Sequence, residues 1–251
     1  MTRGRIALYC AVAALTYLVT LGATVPAAWV ARALERAASD RLLVRAPTGT
    51  VWAGSARVFA RPRAGPPIEL GELRWRSRWT ALLAGSFASD IAIGSAGKSA
   101  HFELSPFGMS LQELDISLPG HAIVAFAPEL ETFGPDGVLR LRSDSLRVEG
   151  DSILGLAEIE WGQVRFARAP GLALGSHVAR LRGGGSKVVI ELGTLDGPVQ
   201  ISGSGQWELA SGLTVTGVAK HSPQVSPGLV QFLRGVCPRY HDNGCDFRLA
   251  F

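Results

Sequence analysis

Residues 49–58, GTVWAGSARV, are the first place where residue types and spacing suggest chemistry. A phosphate-cradling Walker loop needs G-x-x-x-x-G-K-[ST], with a lysine to reach the β- and γ-phosphates. Gly49 and Gly54 have the glycine spacing, but Ser55 and Ala56 follow in place of the lysine and the hydroxyl residue. A nucleophile elbow needs G-x-S-x-G, whereas Ser55 sits in A-G-S-A-R. The stretch therefore reads as a strand with small residues. Its glycines admit a turn and a close-packed neighbour, and Trp52 fills the apolar side of a sheet.

The remaining chemistry-bearing residues form no constellation. His101, His121, His177, His221 and His241 are scattered. None stands at helical i, i+4 spacing with a glutamate, and none neighbours a suitable Ser or Cys, so they read as surface or hydrogen-bonded residues. Glu129, Glu131 and Asp136 in PELETFGPDG lack the D-x-[DN]-x-[DN]-G order of a calcium loop. The approach of two carboxylates for glycoside chemistry is set in three dimensions, and nothing in the sequence favours it. RWRSRW (74–79) interleaves bases and aromatics like a nucleic-acid platform. Period two instead puts Leu73 and Trp75 in a core and Arg74 and Arg76 in solvent. The expectation is no enzyme, no cofactor, no metal and no nucleic acid.

Cysteine use bears on the compartment. Cys10 lies in an apolar run and reads as a small apolar residue. Cys237 and Cys245 bracket CPRYHDNGC, which holds a Pro and an Asn-Gly turn signal. In an oxidising periplasm the pair reads as a disulfide closing a short loop. His241 and Asp242 inside the loop raise a metal site as the competing reading, but one Cys pair lacks the second pair of a zinc-finger spacing.

The elements that would position these residues start with a membrane segment. From Ile6 to Val30 there are 25 residues without a charge, preceded by Arg3 and Arg5. At about 1.5 Å per residue the run spans a hydrocarbon core, and the positive-inside rule puts the N-terminus in the cytoplasm. A cleaved signal peptide is the alternative, although the run is longer than a signal's apolar region and no clean cleavage site follows. PAAWVARALERAA (26–38) reads as a helix that starts at Pro26 and continues out of the membrane. The expected organisation is a cytoplasmic N-terminus (1–5), a transmembrane anchor (6–30), a helical stalk (31–40) and one periplasmic β domain (41–251). No second apolar run approaches the length of a span. The net charge of +4 comes from 25 basic residues, of which only Lys98, Lys187 and Lys220 are lysine. So arginine-rich a skew often reflects base composition of the coding sequence, and the basic balance carries little weight.

After residue 40 the signal is period two broken by turns, in keeping with 30 glycines and 14 prolines. VQISGSGQWEL (199–209) alternates without a break. Shorter runs follow at 72–76, 89–93, 114–118, 138–142, 145–150, 156–166, 177–181, 188–192 and 213–218, punctuated by Asp-Gly, Gly-Gly and Pro-Gly signals. Helical stretches are few: 78–86, 128–134 and 226–235. The fold class is mainly β: a single N-terminal transmembrane helix, then an elongated, curved antiparallel sheet with a few short helices. Apolar faces continuous from strand to strand must be hidden in a sandwich, a barrel or a curved groove.

APTGTVWAGSA (46–56), LGELRWRSRWTALLAGSFASDIAI (70–93), VLRLRSDSLRVEGDSILGLAEIEWGQVRFA (138–167), LGSHVARLRGGG (174–185) and LDGPVQISGSGQWEL (195–209) follow the basic-then-apolar N-terminus in order. This arrangement resembles the type II secretion system protein N family, also called general secretion pathway protein N, over essentially the whole chain. The resemblance implies a single-pass inner-membrane accessory component of the machine that exports folded periplasmic proteins across the outer membrane, with other secretion components as partners and no catalytic residues. Two alternatives stand beside it: a periplasmic lipid-binding or lipid-transfer β-groove, with lipid as a further partner, and an outer-membrane β-barrel with a cleaved signal peptide. The barrel draws on the alternation in FRLAF (247–251), but three tyrosines are few for two aromatic girdles.

Overall fold

The computed structural model describes residues 3–62, 65–94, 99–125, 128–167, 171–208, 212–237, 239–241 and 243–250. Within these, side chains 3–8, 18, 128–129, 236 and 249–250 lie outside the description. Helix α1 covers Arg3–Ala23 and α2 covers Ala28–Ala37. Strands follow as β1 (Leu42–Gly49), β2 (Ala53–Ala60), β3 (Ile68–Arg78), β4 (Phe87–Ile93), β5 (Ala100–Ser105), β6 (Gly108–Pro119), β7 (Pro135–Glu149), β8 (Ser152–Phe166), β9 (Ala173–Gly185), β10 (Lys187–Asp196), β11 (Val199–Glu208), β12 (Gly212–His221), β13 (Tyr240–His241) and β14 (Gly244–Ala250). A short helix α3 (Trp79–Leu83) joins β3 to β4, and α4 (Pro227–Val236) follows β12. Two 3₁₀ turns, Gly120–Ala125 and Pro128–Phe133, lie between β6 and β7.

All 14 strands form one antiparallel sheet, in chain order except that β14 lies between β12 and β13. Period-two patterning needs a partner at each side, and hairpins supply it from the next stretch of chain at the lowest loop-closure cost. The sheet is open: among the described residues nothing pairs β1 with β13 or β14, so the barrel alternative is corrected. Closure would have required the first and last strands to meet. The expected runs fall on strands throughout, except that 138–142 and 145–150 are one long β7 whose pairing with β8 shifts between Arg142 and Ser145. The 226–235 helix starts on a Ser226 cap, whose hydroxyl accepts the Leu229 N–H, with Pro227 in its first turn. The 128–134 stretch is a 3₁₀ turn, and 78–86 contains α3. Leu209, Asp242 and Phe251 lie outside the described residues.

The helix expected over 26–38 is α2, but the 6–30 run expected as one anchor helix is broken before it. α1 ends at Ala23, and Pro26 instead forms an isolated bridge with Thr50 before α2 begins at Ala28. The residue before a proline is pushed out of helical conformation, and here the sheet takes up the freed backbone. Among the described residues no helix is long and apolar enough to cross a membrane.

One face of the sheet holds the core, in three clusters. The first joins Ala27 and Ala31 of α2 to Val44, Ala56, Val58, Leu73 and Trp75 on β1–β3. The second seats Leu229 and Leu233 of α4 on Val164, Leu174 and Val199 of β8, β9 and β11. The third has no helix over it: Val188, Ile190 and Val215 are buried by Ile153, Leu181, Leu213 and Phe247. Glycines make that burial feasible. A Cβ on Gly205 would lie 2.6 Å from Val215 Cγ2, and one on Gly217 would lie 2.5 Å from Phe247 Cζ. Side chains from neighbouring strands thus fold over bare backbone, and the sheet covers part of its own apolar face.

Candidate functional site

Three places carry specific polar chemistry: the joint between the N-terminal helices and the sheet, the charged face, and the C-terminal cap. The joint is built by GTVWAGSARV. Gly49 ends β1 at φ +87°, and Gly54 opens space over which the Trp75 indole lies, since a Cβ there would stand 2.6 Å from Trp75 Cζ2. Trp75 is 6% exposed and donates its indole N–H to the Thr50 carbonyl at 3.0 Å. Trp52 does not fill the apolar side as expected, because Trp75 and Ala56 already occupy it. It sits in the turn and donates Nε1–H to the carbonyl of Gly22, near the end of α1, at 2.9 Å. The Val51 N–H reaches the Val25 carbonyl at 3.0 Å, the Ala27 N–H reaches the Gly49 carbonyl at 3.2 Å, and the Ser77 hydroxyl reaches the Val51 carbonyl at 3.0 Å. The stretch is a bracket that ties the end of α1 to three strands.

The same region closes one edge of the sheet. Glu35 of α2 accepts the Val44 N–H with Oε1 at 2.8 Å, while Ala31 and Leu34 lie against the first core cluster. Glu35 and the Ala27 N–H thus each take up one backbone group on the outer side of β1. At the opposite edge β13 covers only Gly244 and Cys245 of β14. From Asp246 to Ala250, β14 has no outer partner among the described residues. The sheet is asymmetric, with one capped edge and one open edge.

The polar face is laced with paired charges. Asp115 holds Arg140 through Nε and Nη2 at 2.8 and 2.7 Å, and Arg180 Nε donates to Glu158 at 3.1 Å. Arg74 bonds Glu72 at 2.6 Å and holds that carboxyl below its ordinary range. Burial raises the Asp90 carboxyl, but hydrogen bonds from His101 and Arg78 outweigh it and hold the group below its ordinary value. As the periodicity of RWRSRW predicted, Leu73 and Trp75 are buried while Arg74 and Arg76 are exposed. Ion pairs at this exposure add little stability each and chiefly set the character of the surface.

At the C-terminal cap, His221 is 7% exposed, and its ring nitrogens meet the Ser222 carbonyl at 2.9 Å and the Tyr240 hydroxyl at 2.6 Å. The carbonyl can only accept, so Nδ1 donates to it. Arg234 of α4 lies over the Tyr240 ring at 5.1 Å. Cys237 caps α4 and Cys245 lies on β14, with Cα atoms 5.8 Å apart, a separation a disulfide spans. His241 is exposed, 3.9 Å from Asp246, and no group of three or more His, Cys, Asp or Glu is placed to hold a metal among the described residues. His177 is different. It is half-buried, its Nδ1 meets the Thr194 hydroxyl at 3.2 Å, and burial pushes its pKa down against the opposing pull of Asp196. That hydroxyl also accepts the Ile201 N–H at 2.6 Å, so Thr194 links β9, β10 and β11. His121 is exposed. Of the five histidines, His177 and His221 meet hydroxyl groups, those of Thr194 and Tyr240. Sequence reasoning missed Glu35, Trp52 as a bracket and Thr194. Only the Thr-x-Trp turn between two glycines was a local signal.

The described residues form one antiparallel meander with α2 and α4 packed on it. Residues 40–244 match the profile of type II secretion system (T2SS), protein N. The chain belongs to this family. No curated protein and no solved structure matches it. The T2SS protein N match takes in every strand from β1 to β13, the bracket turn and α4. Protein N is an accessory secretion component rather than a known enzyme family, and membership associates the chain with the cell envelope and with type II secretion.

Proposed function

We propose that the protein is a single-pass inner-membrane accessory component of the type II secretion pathway, with its β domain in the periplasm, and that it works by protein–protein contact. The observation that carries the mode of action is the asymmetry of the sheet. A helix-capped β1 edge is tied to α1 by Trp52, while the β14 edge from Asp246 to Ala250 stays open for an extended segment of another secretion component. The anchor reading is supported by the uncharged part of α1 from Ile6 to Ala23 and by apolar residues along it that no strand covers: Tyr9, Val12, Leu15, Tyr17, Val19 and Leu21 are all more than half exposed. Exposed apolar surface of this extent favours lipid over water. The hydroxyls of Thr16, Thr20 and Thr24 each donate to the carbonyl four residues back at 2.9 Å, which suits a medium offering no other acceptor. Cys237 and Cys245 bond as a disulfide in that oxidising compartment.

Deletion of the protein reduces secretion of particular substrates, and photo-crosslinkers at Asp246 and Arg248 capture another secretion component while one at Gln224 does not. Unchanged secretion of every native substrate after a clean deletion would refute the role. Lipid binding is the second reading. It is favoured by the stretch of the apolar face on β5–β6, where Phe102, Leu111 and Ile116 are only half-buried and belong to none of the three clusters. Lipid retained by the purified protein, and lost on Phe102→Ser with Leu111→Ser, supports it; lipid-free protein counts against it.

A further inference from the structure

In a meander the turns alternate between the two ends of the sheet, and here the two ends differ in chemistry. The end that receives α1 is marked by the Thr50–Trp52 turn, where Trp52 holds the Gly22 carbonyl. β3 reaches the same end, since Ala53 pairs with Arg76 and the Ser77 N–H meets the Trp52 carbonyl. The next two turns at that end are α3 and the hairpin between β5 and β6. They are neighbours, because Phe87 pairs with Leu104 and Leu104 pairs with Met109.

These two tips carry a rim of exposed large apolar side chains. Trp79 is 64% exposed, Leu82 49%, Leu83 82%, Leu104 49%, Phe107 85% and Met109 40%. Beyond them the two fully described turns at the same end are polar: Glu149–Gly150–Asp151 follows β7, and Ser186–Lys187 follows β9. Among the described residues the large apolar side chains concentrate on the hairpins nearest α1, while Leu154, Val189 and Trp207 are the exposed ones near the other turns at this end. Arg76, exposed and without an ion-pair partner among the described residues, stands at its border. Water offers no reason to expose a tryptophan, two leucines and a phenylalanine side by side, and a cluster of this kind marks a binding surface. An exposed Trp with flanking Leu and an arginine matches the interface of a bilayer, where the ring sits at headgroup depth and the cation meets phosphate.

We propose that the α3 tip and the Phe107 tip dip into the interface of the bilayer that holds the apolar N-terminal run, so that the sheet stands on the membrane at two points. The proposal rests on the anchor reading and adds a second contact to it. The Trp52–Gly22 bond and the two tips together fix the tilt of the sheet, where a lone helix would leave it free to swing. The open β14 edge is then presented at a set orientation to other envelope proteins.

The test uses the full-length protein in vesicles of phosphatidylethanolamine and phosphatidylglycerol. An environment-sensitive fluorophore is attached at native Cys10, or, in a Cys10→Ala background, at Leu83→Cys, Phe107→Cys or Gln224→Cys, the last at the far end of the sheet. Lipids carrying a nitroxide at shallow or deep positions serve as quenchers. Positions 83 and 107 are too exposed for the label to disturb packing. The expected result is quenching of 83 and 107 by the shallow nitroxide, quenching of Cys10 by the deep one, and no quenching at 224. A quenched Cys10 with 83 and 107 as unquenched as 224 overturns the proposal, leaves the anchor standing and assigns the rim to a protein partner. Quenched tips with an unquenched Cys10 overturn the anchor and retain the tips as a membrane contact. If all four positions stay unquenched, both readings fall.

Discussion

Gly54 and His177 show how single residues carry the local design. A Cβ at 54 would meet Trp75 at 2.6 Å and crowd the Thr48 carbonyl, so Gly54→Ala must shift the indole that bonds Thr50. The expected cost is about 1–3 kcal/mol in urea unfolding. Gly184→Ala, with nothing within 4 Å of the added methyl, is the control and stays within about 0.5 kcal/mol. Equal effects at the two sites would show that close approach to Trp75 is not the reason for the glycine. His177 predicts a pH dependence. Its folded pKa is pushed below the ordinary 6.5, by burial first. As pH falls through 6.5 the unfolded chain takes up a proton that the folded one does not, so stability declines from there down to the folded pKa. The wild type therefore loses more of its urea midpoint than His177→Gln between about pH 7.5 and 5.5. Parallel losses would remove His177 as the source. Asp90, held below its ordinary 3.8, stabilises above that value and loses its contribution only at lower pH, outside this window.

At the scale of elements, α2 and α4 are covers placed on β1–β3 and on β8–β11. Each spends its apolar side on strands and gives a polar residue to the backbone or a ring: Glu35 to Val44, and Arg234 to Tyr240. The cap at α4 depends on the cysteine loop. A disulfide closing nine residues, Cys237 to Cys245, contributes about 2.5 kcal/mol in the chain-entropy account. Cys237→Ser with Cys245→Ser is expected to lower stability by about that amount and to speed hydrogen exchange in α4 and β14 before other strands. A free-thiol assay that titrates both cysteines in protein taken from the periplasm would count against the bond. Truncating Leu229, 3% exposed against Val199 and Leu174, gives an independent reading of the cover. Leu229→Ala should cost about 2–5 kcal/mol by urea unfolding, and a cost near zero would mean that α4 does not seal the second cluster.

The whole molecule is a one-dimensional stack, with each strand pairing with its neighbours in the chain apart from the exchange of β13 and β14. Its closed clusters lie at β1–β3 under α2 and at β8–β14, and β6 contributes to none of them. Amides of β6 are therefore expected to exchange faster than those of β3 and β11, because local opening there exposes least apolar surface. Uniform protection across the sheet would show one cooperative core instead. The strands were legible because alternation is written residue by residue, as in β11, where Ile201 and Trp207 mark one face and Gln200 and Gln206 the other. The broken helix at Pro26, the role of Trp52 and the edge-capping Glu35 were not legible. Each depends on a partner far along the chain, such as Gly22 for Trp52, and local patterning contains no distance between such partners. The sequence by itself determined an alternating, turn-rich, antiparallel β chain behind an apolar N-terminal run, because periodicity and turn chemistry are local. Only the tertiary structure decided that the sheet stays open, which edge is capped, and that GTVWAGSARV is a bracket between helix and sheet. Those outcomes follow from which backbone groups remain unpaired once every strand has found its neighbours.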